Sequence, residues 1–304
     1  MNDVLAPPAT YRGRFAPTPS GPLHFGSLIA AVGSYLQARR AGGEWWLRIE
    51  DLDPPRVVPG AADAILRTLE AFGFEWDGPV LYQSRRGEAY EAALTALRRA
   101  GAIYPCTCSR REIAERARIG AAGPIYPGTC RGGHDPSRRQ QSWRLRTAGA
   151  RIAFLDELQG PVAMDLEAEL GDFVVRRADG VFAYHLALVV DDAASGITHV
   201  VRGRDLLACT APQIYLQRQL GLPQPRYLHL PIAVNTLGQK LSKQTHAPAL
   251  DAARAVPLLA RALAFLGHPP PAEAQDSLAA LWRWARANWD PARIPAAVAA
   301  PPLD

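Results

Sequence analysis

Two lysine side chains, Lys240 and Lys243, stand three residues apart in the stretch GQKLSK, and the chain of 304 residues contains no other lysine. Lysine and arginine together number 34, so the remaining 32 basic residues are arginine. A lysine ammonium is a compact charge on a flexible stem that can follow moving phosphate oxygens, whereas the planar guanidinium suits fixed bidentate partners. The pair therefore predicts a phosphate-binding loop rather than a solvated turn.

A second phosphate-binding candidate lies near the N-terminus, in the stretch RFAPTPSGPLHFGS over residues 14–27. A turn rich in glycine and proline separates a predicted strand from a predicted helix, and His24 stands where the helix begins. At this edge of an open parallel sheet, the helix N-terminus offers N–H groups and a positive dipole to phosphate. From the residues alone, a rigid loop with a capping histidine remains the alternative.

Three of the four cysteines form a third group of residues that could do chemistry. Cys106 and Cys108 flank one residue, and Cys130 returns after a loop, which gives three soft ligands for a tetrahedral Zn²⁺ ion. This clustering favours metal binding over a disulfide framework. Ligand chemistry alone favours His134 as the fourth ligand, because imidazole is a far commoner zinc ligand than phenol.

The positions of these residues in space depend on the strands and helices that the hydrophobic pattern predicts. Strand-like and helix-like segments alternate through the first hundred residues, which predicts βαβ units and a parallel sheet, and therefore an α/β fold. Between residues 102 and 171 the rhythm breaks, so we expect an insertion there. The rhythm then resumes, and two alanine-rich helical segments follow after residue 243.

Composition sets further limits. A net charge of +5 and an isoelectric point near 9.2 are compatible with a polyanionic partner or with a solvated surface. The sequence has no signal pattern and no apolar run of about 18 residues, so we expect a cytoplasmic protein with no membrane partner.

The ordered motifs resemble a known family. PLHFGS resembles the H-I-G-H element of class I aminoacyl-tRNA synthetases, and KLSK resembles their K-M-S-K loop. RFAPTPSGPLHFGS, RIEDLDPPR and VVRGRDLL are similar to the glutamyl branch, and the resemblance covers residues 11–249. The sequence departs from the pattern at Ser27, where the family has a second histidine, and at Leu241, where it has methionine. His24, Gly26 and Lys243 are kept.

The resemblance implies a reaction. The α-carboxylate of L-glutamate attacks the α-phosphorus of ATP, which is bound with Mg²⁺, and pyrophosphate leaves. His24 and Lys243 are the implied catalytic residues. The implied ATP-binding residues are Pro17, His24, Gly26, Ser27, Lys240 and Lys243. The implied glutamate-binding residues are Arg14, Phe15, Ala16, Pro17, Thr18, Glu50, Tyr184 and Arg202. Within that set, Arg14 and Arg202 would meet the carboxylates, Glu50 the ammonium, and Tyr184 would add a hydrogen bond.

The glutamyl-queuosine branch of this family has a C-x-C pair followed by Y-x-x-x-C, and Tyr126 with Cys130 fits that pattern. The resemblance thus implies one structural zinc ion per chain on Cys106, Cys108, Tyr126 and Cys130, with His134 as the stated alternative to Tyr126. Only 61 residues follow Lys243 in the sequence. We therefore expect no anticodon-binding domain, as in the truncated glutamyl-queuosine branch.

The expected architecture has four parts. A Rossmann-like catalytic domain has its first half at 1–101 and its second half, with the KLSK loop, at 172–243. A zinc-binding, acceptor-like subdomain is inserted at 102–171, and a helical region spans 244–304.

The branch activates glutamate without tRNA and transfers it to queuosine at the wobble position of tRNA(Asp). The expected partner is therefore the anticodon stem-loop of tRNA(Asp), and we expect a monomer. Arg138, Arg139 and Trp143 are unranked candidates for RNA contacts. The alternatives are a minimal synthetase that charges the 3′ end of tRNA(Glu), and a non-catalytic zinc-containing RNA-binding paralogue.

Overall fold

The computed structural model describes residues 10–120, 123–138, 141–234 and 248–296, together with the backbone of a short strand at Ala299–Ala300. Lys240 and Lys243, the lysines of the predicted phosphate-binding loop, lie outside the described residues, and so does Arg139.

The first third of the chain alternates strands and helices, as the sequence predicts. Its elements are β1 (Arg12–Phe15), α1 (Phe25–Arg40), β2 (Glu44–Ile49), α2 (Ala61–Ala71), β3 (Leu81–Tyr82) and α3 (Gly87–Arg99). Strand β2 pairs in parallel with β1 on one side and with β3 on the other. The predicted parallel βαβ arrangement is therefore present.

Antiparallel pairing replaces this pattern in the middle of the chain. The elements are β4 (Ile103–Cys106), α4 (Arg110–Arg116), β5 (Arg118–Gly120), β6 (Gly123–Ile125), β7 (Ser142–Leu145), β8 (Arg151–Asp156), β9 (Gly160–Asp165) and α5 (Leu166–Glu169). The antiparallel pairs are β4 with β7, β5 with β6, and β8 with β9. This segment is the one predicted to form an insertion.

The remaining elements complete the sheet and cover it. They are β10 (Phe173–Arg176), α6 (Tyr184–Ala194), β11 (His199–Gly203), α7 (Thr210–Leu220), β12 (Arg226–Leu230), β13 (Ile232–Ala233), α8 (Ala255–Phe265), α9 (Leu278–Asn288) and β14 (Ala299–Ala300). Strand β10 pairs with β7, and β8 pairs with β12 through Asp156 and Tyr227, so both ends of the antiparallel segment join the second half of the chain.

Strand β1 lies between the two halves. Strands β11 and β12 pair in parallel, and the Thr198 N–H, just before β11, donates to the Arg12 carbonyl at 3.0 Å. These hydrogen-bonded strands form two groups, β3-β2-β1 and β11-β12-β8-β9, which lie side by side at β1 and β11. From this meeting point, β1 to β3 lead away on one side and β11 to β12 lead away on the other. In open α/β sheets, ligands bind in the crevice at such a switch point, beyond the carboxyl ends of the strands.

Helix α1 begins at this switch point and packs closely on the sheet. A Cβ atom at Gly33 would lie 2.5 Å from Leu230 Cδ1, so any larger residue here would force the buried Leu230 side chain to shift. The C-terminal helices pack on the same side, where Trp282 donates from Nε1 to the Phe72 carbonyl at 2.8 Å. Among the described segments, no helix is long and apolar enough to cross a membrane.

Candidate active site

A cleft of about 690 Å³ opens at the switch point. Its walls come from the end of β1, the start of α1, the end of β2, helix α6, strand β11 and the turn between β12 and β13. Every ATP-binding or glutamate-binding residue predicted within the described segments lines it, namely Arg14, Phe15, Ala16, Pro17, Thr18, His24, Gly26, Ser27, Glu50, Tyr184 and Arg202. Residues up to 188 positions apart in sequence are thus brought together.

The predicted phosphate-binding segment at the start of α1 has a defined geometry. His24 caps the helix: its Nδ1 accepts from the Ser27 N–H at 3.3 Å, and the Ser27 hydroxyl accepts from the His24 N–H at 3.5 Å. Because Nδ1 accepts, the proton of the neutral ring resides on Nε2, which is then a donor. Ser27, which replaces the family's second histidine, therefore supports the first one.

The loop before His24 is fixed to the sheet. The Glu50 N–H donates to the Pro17 carbonyl at 3.0 Å, and the Val58 N–H donates to the Pro19 carbonyl at 2.9 Å. Glu50, which directly follows β2, is thereby held against the loop that leads into α1.

Arg202 is a buried cation whose hydrogen-bond acceptors within the described segments are all neutral. Its Nε donates to His229 Nε2 at 3.0 Å, and its Nη2 donates to Thr210 Oγ1 and Gln213 Oε1, both at 2.8 Å. Its Nη1 is buried and has no hydrogen-bond partner among the described residues. A buried guanidinium without a carboxylate partner is costly, so this geometry suits an anionic ligand.

Arg14 differs from Arg202 because an acid of the protein already compensates it. Its Nε and Nη2 contact the Asp192 carboxylate at 3.2 and 3.3 Å, and Arg48 donates from Nη1 to the same carboxylate at 2.5 Å. Arg48 also donates from Nη2 to Glu50 at 3.2 Å. Burial opposes ionisation of Asp192, yet Arg14 and Arg48 hold its pKa below the ordinary value. Burial raises the pKa of Glu50, although Arg48 and Arg14 act in the opposite direction.

Sequence reasoning missed Arg48 and Asp192. A signal was available for Asp192, because it and Asp191 lie in the last turn of the largely apolar helix α6, YHLALVVDDAA. Two carboxylates on a buried helix must find cationic or donor partners. The Asp191 carboxylate accepts hydrogen bonds from Gln83, Arg86 and Tyr90 at 2.6 to 2.8 Å.

Tyr184 is the first residue of α6 and lines the cleft. Burial raises the pKa of its phenol to about 12, so the hydroxyl keeps its proton at neutral pH and is a hydrogen-bond donor.

A second cleft, of about 980 Å³, adjoins the first. The two share Ala16, Thr18, Glu50, Arg56, Tyr184, Asp205 and Leu206 in their walls. The second extends to the antiparallel segment, where Cys108, Arg110 and Arg144 line it, and to Arg177, which donates to Asp53 at 3.0 Å. A continuous space therefore leads from the predicted glutamate residues to the cysteine cluster.

The three predicted zinc-ligating cysteines lie together, with the ligand atoms of Cys106, Cys108 and Cys130 all within 4.8 Å of one another. The Tyr126 hydroxyl lies 3.3 Å from Cys106 Sγ and 3.8 Å from Cys108 Sγ. These separations and soft donors fit a tetrahedral zinc ion. In the described part of the chain, the group within reach of one ion does not include the exposed His134. The zinc ion and its ligand set stay predictions.

The RNA-contact candidates have partners within the protein. Arg138 makes a bidentate contact with Glu112, at 2.8 and 2.9 Å, and the Arg98 guanidinium stacks on the Trp143 ring at 4.9 Å. Their contacts with RNA stay predictions.

Comparison with known proteins defines the class. Residues 10–254 match the family described as class I tRNA synthetases (E and Q), catalytic domain. The fold is similar to the crystal structure of glutamate-tRNA synthetase from Elizabethkingia anophelis, with a TM-score of 0.78 and 25% identity, covering 95% of this chain and 67% of that one. A glutamate tRNA ligase from Elizabethkingia meningosepticum, in complex with its amino acid, has a TM-score of 0.68 and 29% identity, covering 77% of this chain and 52% of that one. Fold and cleft are thus those of a class I tRNA synthetase catalytic domain.

Curated relatives narrow the class further. A protein named glutamyl-Q tRNA(Asp) synthetase from Dechloromonas aromatica is 61% identical over 282 residues, which covers 92% of this chain and 94% of the relative. A protein of the same name from Chromobacterium violaceum is 57% identical over 95% of this chain and 96% of its own length. The chain belongs to the glutamyl-Q tRNA(Asp) synthetase family.

Proposed function

We propose that this chain uses ATP to activate L-glutamate as glutamyl-adenylate, without needing tRNA, and then transfers the glutamate to queuosine at the wobble position of tRNA(Asp). The observation that carries the first step is the charge pattern of the cleft. Two buried guanidiniums, Arg14 and Arg202, and one carboxylate, Glu50, surround a space that also reaches the helix cap His24. Asp192 and Arg48, which contact Arg14 and Glu50 from behind, bring the sum of these buried charges to one net positive charge. This total complements the single net negative charge of glutamate, and the cleft offers cations to its carboxylates and an acid to its ammonium. The curated relatives' name supports the acceptor.

In the first step, a glutamate α-carboxylate oxygen forms a bond to the α-phosphorus of ATP while the bond to pyrophosphate breaks. The protein supplies no nucleophile, so catalysis rests on positioning and on charge stabilisation. Mg²⁺ bound with ATP would neutralise part of the phosphate charge. His24 Nε2 and the N–H groups at the start of α1 donate to phosphate oxygens, because both face the same cleft. Lys243, and Lys240 beside it, neutralise the leaving pyrophosphate.

Selection of glutamate over glutamine follows from Arg202. Its buried Nη1 requires an acceptor, and a carboxylate supplies one with opposite charge. A glutamine side chain offers only one oxygen, and its amide nitrogen would present a donor to a donor. Glu50 meets the ammonium, and the Tyr184 hydroxyl donates to the substrate.

We place the acceptor nucleotide in the second cleft. This space shares Glu50 and Tyr184 with the glutamate site, so a nucleotide there would reach the activated carbonyl. Arg110 and Arg144 in its walls suit the RNA backbone. The zinc ion would have a structural role: Cys106, Cys108, Tyr126 and Cys130 would hold it, and Cys108 is part of the cleft wall. On this proposal a monomer acts in the cytoplasm on the anticodon stem-loop of tRNA(Asp).

The test is incubation with ATP, labelled glutamate and unfractionated tRNA, followed by mapping of the labelled nucleotide. We expect glutamate-dependent pyrophosphate exchange without tRNA, and label on the wobble nucleotide of tRNA(Asp). Label should be absent with tRNA from cells that cannot make queuosine. Label on an acceptor 3′ end would contradict the transfer step, and absence of exchange would contradict the activation step.

A further inference from the structure

A line of buried polar side chains crosses three neighbouring strands behind the cleft. Asp156 ends β8, His229 lies on β12, and Arg202 lies directly opposite His229 on β11. Asp156 Oδ2 lies 2.6 Å from His229 Nδ1, and His229 Nε2 accepts from Arg202 Nε at 3.0 Å. Asp156 and His229 are at most 1% exposed and do not line the cleft, whereas Arg202 does.

The backbone fixes which oxygen of Asp156 faces the histidine. Asp156 Oδ1 accepts from the Leu158, Gln159 and His229 N–H groups, at 3.1, 2.8 and 3.2 Å. Oδ2 is therefore the atom left to accept the His229 Nδ1 proton. With that proton on Nδ1, the neutral ring presents a lone pair at Nε2, which the Arg202 N–H requires.

Burial favours this neutral form. Desolvation lowers the pKa of His229 even though Asp156 acts in the opposite direction. An acid in place of His229 would neutralise the Arg202 charge directly, as Asp192 does for Arg14. A neutral imidazole instead fixes the direction of the guanidinium and leaves its charge for the ligand.

We infer that Asp156 and His229 are positioning residues for glutamate binding: they orient Arg202 so that its Nη1 meets a substrate carboxylate. This inference rests on the proposed activation of glutamate. Neither residue touches the substrate, so their effect passes entirely through Arg202.

Asp156→Asn is the decisive variant because it preserves shape. The amide oxygen must remain at the Oδ1 position to accept three backbone N–H groups, so the amide nitrogen takes the Oδ2 position. It then donates to His229 Nδ1 and forces the ring proton onto Nε2, where it opposes the Arg202 N–H. We expect the glutamate KM in pyrophosphate exchange to rise on the order of 10-fold or more, while the ATP KM changes less than about twofold.

A matched control is Asp172→Asn. Asp172 is also fully buried and accepts from Arg131 at 2.6 Å and from Thr147 at 2.8 Å, but it lies away from the cleft. This variant should lower the melting temperature and leave the glutamate KM unchanged. An equal rise in the glutamate KM of both variants would overturn the inference, because it would report general damage to the fold.

A second pair of variants decides the matter if Asp156→Asn does not fold. His229→Gln carries an amide oxygen that can accept from Arg202, whereas His229→Leu carries no acceptor. The inference requires a high glutamate KM for leucine and substantial recovery for glutamine. Equal glutamate KM values for the two would overturn it. If the wild-type protein shows no glutamate-dependent exchange, both the proposed function and this inference are wrong. If the wild-type protein exchanges normally and the variants have an unchanged glutamate KM, this inference alone is wrong.

Discussion

Glu50→Gln tests the charge pattern of the proposed glutamate site. In the free protein, the buried cluster holds two guanidiniums, Arg14 and Arg48, against two carboxylates, Asp192 and Glu50, and these four charges cancel. Glutamine keeps the shape of Glu50 and an acceptor for Arg48. It leaves one positive charge uncompensated beside the position that we propose for the substrate ammonium.

The size of the effect follows from burial. A hydrogen bond to a charged group is worth about 1.5–3 kcal/mol, or roughly 10- to 150-fold in affinity. Breaking a fully buried ion pair costs more, about 3–5 kcal/mol, but the Glu50 side chain is 11% exposed and the amide replaces part of the interaction. We therefore expect a rise of about 10- to 100-fold in the glutamate KM, with little change in the ATP KM.

The assay is glutamate-dependent pyrophosphate exchange, with glutarate as a competitive inhibitor. Glutarate has both carboxylates and lacks the ammonium, so Glu50→Gln should leave its inhibition constant unchanged or lower it. The control is Glu44→Gln at the opposite end of β2, because Glu44 pairs with Arg12 at 2.6 Å and does not line the cleft. If Glu50→Gln weakened glutarate and glutamate equally, Glu50 would act on the carboxylate side of the pocket and our reasoning would be refuted.

Three further predictions concern other parts of the chain. Lys243→Ala should slow adenylate formation by about 100-fold without changing the melting temperature, and an unchanged activation rate would refute its role. Metal analysis should find one zinc ion per chain that Cys130→Ser and Tyr126→Phe weaken; loss of zinc in His134→Ala but not in Tyr126→Phe would reverse the ligand assignment. Burial lowers the pKa of His185 to about 4, so the unfolded chain takes up a proton that the native chain does not. Urea unfolding should therefore show stability falling from about pH 6.5 to about pH 4. His185→Gln should make that fall shallower without abolishing it, because burial also lowers the pKa of His199 to about 4; an identical slope in the variant would contradict this account.

Local sequence signals indicated the segment that we propose for phosphate binding, and the structure places it at the cleft. The turn before His24 and the helix after it are neighbours in the chain, so their relation depends on local backbone preferences. The role of Ser27 was not predicted, although a polar residue three positions after a helix cap is a recognised capping pattern. The family pattern counted Ser27 as a lost histidine, whereas its contacts make it a support for His24.

The buried charge network could not be read from local signals. Arg14 and Asp192 are 178 residues apart, and Arg48 and Asp192 are 144 apart. Their contact depends on β1, β2 and α6 meeting at the switch point. No periodicity encodes which acid will reach which guanidinium, because that choice depends on packing between distant elements.

The sequence alone determined the alternation of strands and helices, the loop that leads to His24 and the spacing of the cysteines, because each of these is encoded in residues that are near one another in the chain. Only the tertiary structure decided how the two arginines that line the cleft, Arg14 and Arg202, differ. Asp192 compensates Arg14, whereas the neutral His229, held by Asp156, orients Arg202 and leaves its charge for a ligand. The physical reason is register: Arg202 faces His229 only because β11 and β12 pair in that alignment.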